Sequence, residues 1–260
     1  MKVLYVSSEA LPFMASGGLA DVAGSLPKAL RKRLIGCRVV MPLYDGIKPE
    51  LKEQMKFLTS ISVPVAWRRQ YCGIFEAKVD GVIYYLLDNQ YYFKRDGIYG
   101  YYDDAERFAF FSRAVLEMLP HIDFKPDIIH CNDWQSALTP VYYTTMYSHW
   151  SGYENIKTVF TIHNIQYQGV YGKELIPEVL GLPEECTNII EYDGDVNFMK
   201  GAIETANRIT TVSPSYANEI LDPWYSHGLD TILRERSWKL SGILNGIDTE
   251  SYNPATDPDI

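Results

Sequence analysis

A chain of 260 residues, 47% of them hydrophobic, holds enough apolar side chains for a substantial core, in one large domain or two small ones. Its formal net charge of −9 argues against nucleic acid or an anionic membrane as a main partner, because nothing supplies a broad basic face. Four scattered cysteines (Cys37, Cys72, Cys131, Cys186) with no C-x-x-C pair, no room for a signal peptide before the first strand, and no apolar run near the roughly 20 residues of a membrane span point to a cytoplasmic globular protein with free thiols and no structural zinc.

Lys2-Val3-Leu4-Tyr5-Val6-Ser7 reads as a buried strand. It runs through Glu9 and Pro12 into Ala15-Ser16-Gly17-Gly18-Leu19-Ala20-Asp21-Val22, after which the spacing predicts a helix over 19–32. Glycines at such a turn let backbone approach a ligand, and the helix after them turns free N–H groups toward it, which suits a phosphate or an array of sugar hydroxyls. Alone the pair is equally a tight turn, since the spacing is not the dinucleotide G-x-G-x-x-G. Residues 37–42 read as a second strand. Between 61 and 89 the pattern changes to short alternating strands, and 75–79 and 82–87 flank Asp80-Gly81, a hairpin dipeptide. The stretch 89–104, with Tyr91, Tyr92, Tyr99, Tyr101 and Tyr102 and with Tyr85 just upstream, reads as an exposed loop near a binding face. Phe108, Phe111, Val115 and Leu119 then recur at helical spacing across 103–119, as core packing requires.

Strands return at 127–130, 158–162, 208–212 and 242–244, and Ser213-Pro214 is a helix-start signal. Short unbroken apolar strands separated by helices imply an α/β fold with a doubly wound, mainly parallel sheet covered on both faces. In such a sheet ligands bind at the carboxyl ends of the strands. Those ends carry Ser7-Ser8-Glu9 and the glycine turn, His130-Cys131-Asn132-Asp133-Trp134, His163-Asn164-Ile165-Gln166-Tyr167-Gln168-Gly169, Ser213-Pro214, and Asn245-Gly246-Ile247-Asp248. Five polar clusters on one edge make a ligand site.

Those clusters, in that order, resemble the bacterial glycogen synthases and plant starch synthases, the family-five glycosyltransferases. The matching pieces are Ser-Gly-Gly-Leu-Ala-Asp-Val (16–22), His-Cys-Asn-Asp-Trp (130–134), His-Asn-Ile-Gln-Tyr-Gln-Gly (163–169), Gly194 through Lys200, Thr-Val-Ser-Pro-Ser-Tyr-Ala (211–217) and Asn-Gly-Ile-Asp (245–248). The resemblance covers essentially the whole chain. It implies a Rossmann-like domain over 1–244 with a small β-hairpin insertion, the amino-terminal half of a two-domain GT-B glycosyltransferase. Residues 245–260 would begin the interdomain linker, with the second domain absent.

The implied reaction moves glucose from ADP-glucose to the non-reducing 4-hydroxyl of an α-1,4-glucan (glycogen or a maltooligosaccharide) with retention, using no metal and no cofactor. By resemblance His163 hydrogen-bonds the donor glucose near its 6-hydroxyl and the developing positive centre; its structural alternative is a core histidine capping a strand end. Asp133 would orient donor or acceptor, or N-cap the next helix, or both, while Trp134 packs. Ser16, Gly17, Gly18, Asp21 and Asn245 are implied donor-sugar contacts, although a carboxylate at Asp21 also suits a helix first turn and Asn245-Gly246 also suits a plain turn. Tyr101 aligns with an acceptor-side tyrosine.

Two features depart from the pattern or compete with it. Ala15 stands where the family usually has a lysine that reaches the donor, so a cation from the absent domain is expected to substitute. Asp193-Gly194-Asp195 has the D-x-D form that binds manganese in another glycosyltransferase fold, and here reads as a solvated acidic turn. The expectation is a half-enzyme that folds alone and turns over no ADP-glucose. The alternatives are a stand-alone α-glucan-binding module and a related transferase that uses a UDP-sugar.

Overall fold

The computed structural model describes residues 1–249, 252, 253 and 255. In chain order the first strands are β1 (Lys2–Val6), β2 (Gly36–Pro42), β3 (Lys56–Val65), β4 (Arg68–Val79), β5 (Val82–Asp88) and β6 (Ile128–Asn132). They are followed by β7 (Lys157–Ile162), β8 (Val170–Tyr171), β9 (Glu191–Tyr192), β10 (Asp195–Asn197), β11 (Arg208–Thr211) and β12 (Leu240–Gly242). The helices are α1 (Gly18–Lys32), α2 (Pro49–Lys52), α3 (Gln90–Phe93), α4 (Asp104–Glu117), α5 (Leu138–Tyr142), α6 (Phe198–Thr205), α7 (Pro214–Glu219) and α8 (Asp230–Glu235).

The main sheet has the order β12-β11-β7-β6-β1-β2-β5-β4-β3. From β12 to β5 every neighbouring pair is parallel, and β4 and β3 add an antiparallel edge. The chain builds outward from β1 through β2 to β5, then returns to the other side of β1 and builds outward again through β6, β7, β11 and β12. The direction of winding therefore reverses between β1 and β6, and a crevice opens there at the carboxyl ends. Apolar runs fill the middle strands because both faces are covered: Leu4, Tyr5 and Val6 of β1 and Val39, Val40 and Met41 of β2 are fully buried. Helix α1 packs against β2 and β5, α4 against β2 and β3, and α5 against both α4 and α6.

Several elements differ from the sequence expectation. The hairpin insertion is longer: β3 begins at Lys56, and Asp80-Gly81, both with positive φ (49° and 77°), turns β4 into β5. The stretch 89–104 is not simply an exposed loop. Asn89 caps α3, Tyr85, Tyr92 and Phe93 are fully buried, and the Tyr99 hydroxyl lies 2.6 Å from Ser8 Oγ; Tyr91 and Tyr102 are the ones that stand in solvent. The last strand is Leu240–Gly242 rather than 242–244; the backbone of Ile243 and Asn245 still donates to Thr211 O at 2.8 Å and Val212 O at 3.3 Å, but the Ile243 and Leu244 side chains are exposed. Asp193-Gly194 does not simply precede a helix: with φ of 49° and 89° it forms the turn of a β9–β10 hairpin, within a separate three-stranded sheet of order β8-β10-β9. The expected linker, 245–260, lies in part outside the described residues. Among those residues no helix is long and apolar enough to cross a membrane.

Candidate active site

A cleft of about 810 Å³ opens at the winding reversal, between the turn after β1 and the ends of β6 and β7. Its lining brings together Ser16, Gly17, Gly18, Asp133, His163 and Asn245, residues far apart in sequence. Asp21 and Tyr101 are placed elsewhere. Asp21 lines an adjoining hollow of about 450 Å³ beside Lys28 and the 243–249 segment, which shares Asn245 with the cleft. The Tyr101 hydroxyl accepts a hydrogen bond from Gly97 N at 2.9 Å, and its ring lies against the guanidinium groups of Arg95 and Arg107. Among the described residues no group of three or more His, Cys, Asp or Glu side chains is placed to hold a metal ion.

The glycine turn works by leaving space. Neither Gly17 nor Gly18 has a positive φ, and a Cβ at either would meet nothing within 4 Å, so the absence of side chains keeps the cleft floor bare. Gly17 caps α1 without any side-chain hydrogen bond, leaving first-turn N–H groups for a ligand. The turn itself is tied down by Glu9, which is nearly buried and whose carboxylate accepts from Ser16 N and Gly17 N and bonds Tyr99. Burial pushes the Glu9 carboxyl up, against those hydrogen bonds. The sequence marks Glu9 only as part of a polar strand end; no spacing ties it to Ser16.

At the end of β6, Asp133 adopts φ 54° and ψ 179°, a positive-φ conformation uncommon for a residue with a side chain. Its backbone N donates to Thr161 O at 3.0 Å, which joins the ends of β6 and β7. The carboxylate makes no capping bond to the turn after it; instead Oδ1 accepts from His163 N at 2.8 Å and from Asn164 N at 3.3 Å. Burial pushes this carboxyl up to about 7, the negative charge of Glu9 adds to the rise, and the two N–H donors oppose it. Trp134 packs, edge-on to Phe108 and against Tyr171 and Phe198.

His163 is held from beneath. Its Nε2 lies 2.9 Å from Asn132 Oδ1, which also accepts the Tyr5 hydroxyl at 2.9 Å. Asn132 Nδ2 donates to Val6 O at 3.0 Å and His130 O at 3.2 Å, and since carbonyl oxygens only accept, this assigns the amide orientation. Nε2 therefore carries the proton. Burial lowers the imidazole to about 4, so the ring is neutral at ordinary pH and Nδ1, with no partner among the described residues, is a free acceptor. Beneath it His130 is lowered further, to about 3, by burial and by His163.

The charged groups of the lining are Glu9, Asp104 and Asp133; among the described residues no lysine or arginine lines the cleft. Arg107 is close to this region but fully buried, bonded to Asp104 Oδ1 at 2.5 Å and to the carbonyls of Tyr92 and Ile98. The arrangement offers acceptors and backbone donors, the complement of sugar hydroxyls.

Comparison with known proteins agrees in sequence and in structure. Residues 2–235 match the family model described as the starch synthase catalytic domain. Glycogen synthase of Geobacillus stearothermophilus is 52% identical over 260 residues, covering 99% of this chain and 54% of that protein. Glycogen synthase of Clostridium botulinum (strain Alaska E43 / Type E3) is 54% identical over 260 residues, again 99% and 54%. The solved catalytic domain of Starch Synthase IV from Arabidopsis thaliana, bound to ADP and acarbose, superimposes with a TM-score of 0.91 at 35% identity, covering 98% of this chain and 54% of that one. The chain thus spans about half the length of the relatives it matches. With its Rossmann-like sheet, its strand-end cleft and a family match over nearly its whole length, the chain belongs to the starch synthase catalytic domain family.

Proposed function

We propose that this chain forms the acceptor-side half of a retaining glucosyltransferase that moves glucose from ADP-glucose to the non-reducing 4-hydroxyl of an α-1,4-glucan. The observation that carries this is the composition of the cleft: bare glycine backbone, a helix N-terminus whose cap residue brings no side chain, a neutral histidine and three carboxylates, with no cation among the described residues of the lining. A neutral polyol fits such a surface, whereas a diphosphate finds no cationic side chain to pair with there, since Arg107 is buried and already bound to Asp104, unless positive charge arrives from elsewhere. The ADP and acarbose bound to the Arabidopsis starch synthase support both the nucleotide and the glucan for this family.

In this scheme His163 Nδ1 accepts a hydroxyl of the donor glucose, and Asp133 fixes the backbone from which His163 projects. Departure of ADP leaves positive charge at the anomeric carbon, which the surrounding carboxylates stabilise. The 4-hydroxyl of the acceptor then attacks on the face that ADP leaves, and its proton passes to the departing phosphate oxygen. Asn245 adds a polar side chain to the lining, and Gly17 and Gly18 let a sugar ring lie against backbone.

Joining this chain to the remaining length of the Geobacillus stearothermophilus relative tests the assignment. The chimera is expected to elongate maltotriose with ADP-glucose, to yield α-linked product, and to keep its activity in the presence of a metal chelator. A folded chimera that uses UDP-glucose equally well, or that requires manganese, contradicts it.

A further inference from the structure

One wall of the cleft is built from chain that has no regular structure to hold it. Tyr99 and Gly100, which line the cleft beside Asp104, belong to residues 94–103, through which no helix or strand runs. A helix or sheet fixes its backbone by its own ladder of hydrogen bonds, whereas such a stretch is fixed by the side chains that reach into it. Here the reaching side chain is Arg107, in the first turn of α4.

Arg107 is fully buried, and its guanidinium is committed to the stretch around it. Nε donates to Tyr92 O at 2.7 Å, and Nη1 donates to Ile98 O at 3.0 Å and to Asp104 Oδ1 at 2.5 Å. The other Asp104 oxygen accepts from Gly100 N at 2.7 Å, so the ion pair grips the backbone on both sides of Tyr99. The Tyr101 ring centre lies 4.9 Å from the guanidinium carbon of Arg107 and 5.0 Å from that of Arg95, and its hydroxyl accepts from Gly97 N. Arg95 is itself anchored by a two-pronged pair with Asp103, at 3.0 and 2.7 Å. Nη2 of Arg107 is buried with no hydrogen-bond partner among the described residues, although the rings of Phe93, Tyr101 and Phe108 surround the guanidinium. Burying a charged donor unpaired is unfavourable, so packing alone does not account for an arginine at this point.

We propose that Arg107 is a positioning residue for the transfer reaction, a role that rests on the cleft being the acceptor side of a glucosyltransferase. Through Ile98, Asp104 and Tyr101 it sets where Tyr99 and Gly100 stand, and thereby how tightly the cleft holds a glucan, without touching the sugar. The effect falls on the glucan more than on the donor. A neutral glucan is held by its sugar contacts alone, whereas the nucleotide-sugar is also held by its diphosphate, wherever the cations for that group lie. Tyr101 has a part in this that needs no contact with glucan: it packs on the two guanidinium groups and ties down Gly97. The planar fork is essential, because a lysine presents a single nitrogen and cannot serve two carbonyls and a carboxylate in the same geometry.

Steady-state kinetics of the chimera carrying Arg107→Lys or Tyr101→Leu test this role. Each variant is expected to raise KM for maltotriose about tenfold, while KM for ADP-glucose and kcat at saturating maltotriose change by less than about threefold. Hydrogen exchange is expected to quicken at Gly97 and Gly100 and to stay native in the strands of the main sheet. If Arg107→Lys fails to fold, Tyr101→Leu, at a half-buried position, decides alone. A KM for maltotriose that stays native, a rise shared equally by both substrates, or a loss confined to kcat and melting temperature overturns the positioning role. A native chimera that does not elongate maltotriose contradicts the acceptor-side reading instead.

Discussion

Asn132 holds His163 by one oxygen, and that oxygen decides what the histidine can offer a ligand. Asn132→Leu removes the acceptor shared by Tyr5 and His163, leaving a buried hydroxyl unpaired, and is expected to destabilise the chain by about 1–3 kcal/mol. In ¹⁵N-histidine spectra the native His163 is expected as the single Nε2–H tautomer and the variant as a mixture; a native Nδ1–H form contradicts the network. Asn132→Asp keeps the oxygen but adds charge, so the His163 titration is expected to move up from about 4. Asp133 gives a second test, through stability. Its folded carboxyl, near 7 against an ordinary 3.8, holds a proton that the unfolded chain releases earlier. The stability this carries is complete below about pH 4 and lost as pH rises through about 7. Asp133→Asn has no such loss, so it is expected to gain on the native chain by roughly 2–4 kcal/mol between pH 4 and 8. Parallel unfolding curves across that range contradict the elevated carboxyl. His163 and Asp133 are legible in the sequence because each directly follows a buried strand. Tyr5 and Asn132, 127 residues apart, are joined only by β1 pairing with β6, and Glu9 reaches the glycine turn only through the folded loop.

At the scale of elements, β12 passes beneath the start of α7 so closely that only glycine fits. A Cβ on Gly242 would lie 2.2 Å from Ser213 O and 2.4 Å from Pro214 Cα. Gly242→Ala is therefore expected to cost about 1–3 kcal/mol and to loosen the sheet edge that leads to Asn245, measurable by denaturant unfolding and by hydrogen exchange at Ile243 and Asn245. A variant as stable as the native chain contradicts the tight passage. Beta-branched runs bounded by polar clusters made β1, β2, β7 and β11 readable, and Ser213-Pro214 marked α7 because its hydroxyl accepts from Tyr216 N at 3.0 Å. The stretch 89–104 misleads because tyrosines have the same composition whether buried or exposed. Here the Tyr92 hydroxyl is satisfied by Glu106 at 2.5 Å, which permits burial. The strands β8, β9 and β10 are two or three residues long, too short to show a period, so the three-stranded sheet was not legible. The 242–244 strand shifted because the apolar pair Ile243-Leu244 looks like sheet core yet lies in solvent.

For the whole molecule the decisive property is the sign of its field. The chain carries −9 overall, and among the described residues the only charged side chains lining the cleft are acidic. A sugar is indifferent to that field; a diphosphate is not. Ala15, exposed beside the turn, leaves the usual lysine position without charge. If cations from the Geobacillus portion of the chimera already serve the donor, Ala15→Lys in the chimera is expected to change ADP-glucose affinity by less than about threefold. A gain of about tenfold or more, as one charge-assisted bond of about 1.5–3 kcal/mol would give, shows the position to be unfilled. The central claim, that this half of the cleft receives the neutral glucan, is tested most directly by calorimetric titration of the 260-residue chain with maltotriose and, separately, with ADP-glucose. The account predicts binding of maltotriose and at least tenfold weaker binding of ADP-glucose; tighter binding of ADP-glucose than of maltotriose would contradict it.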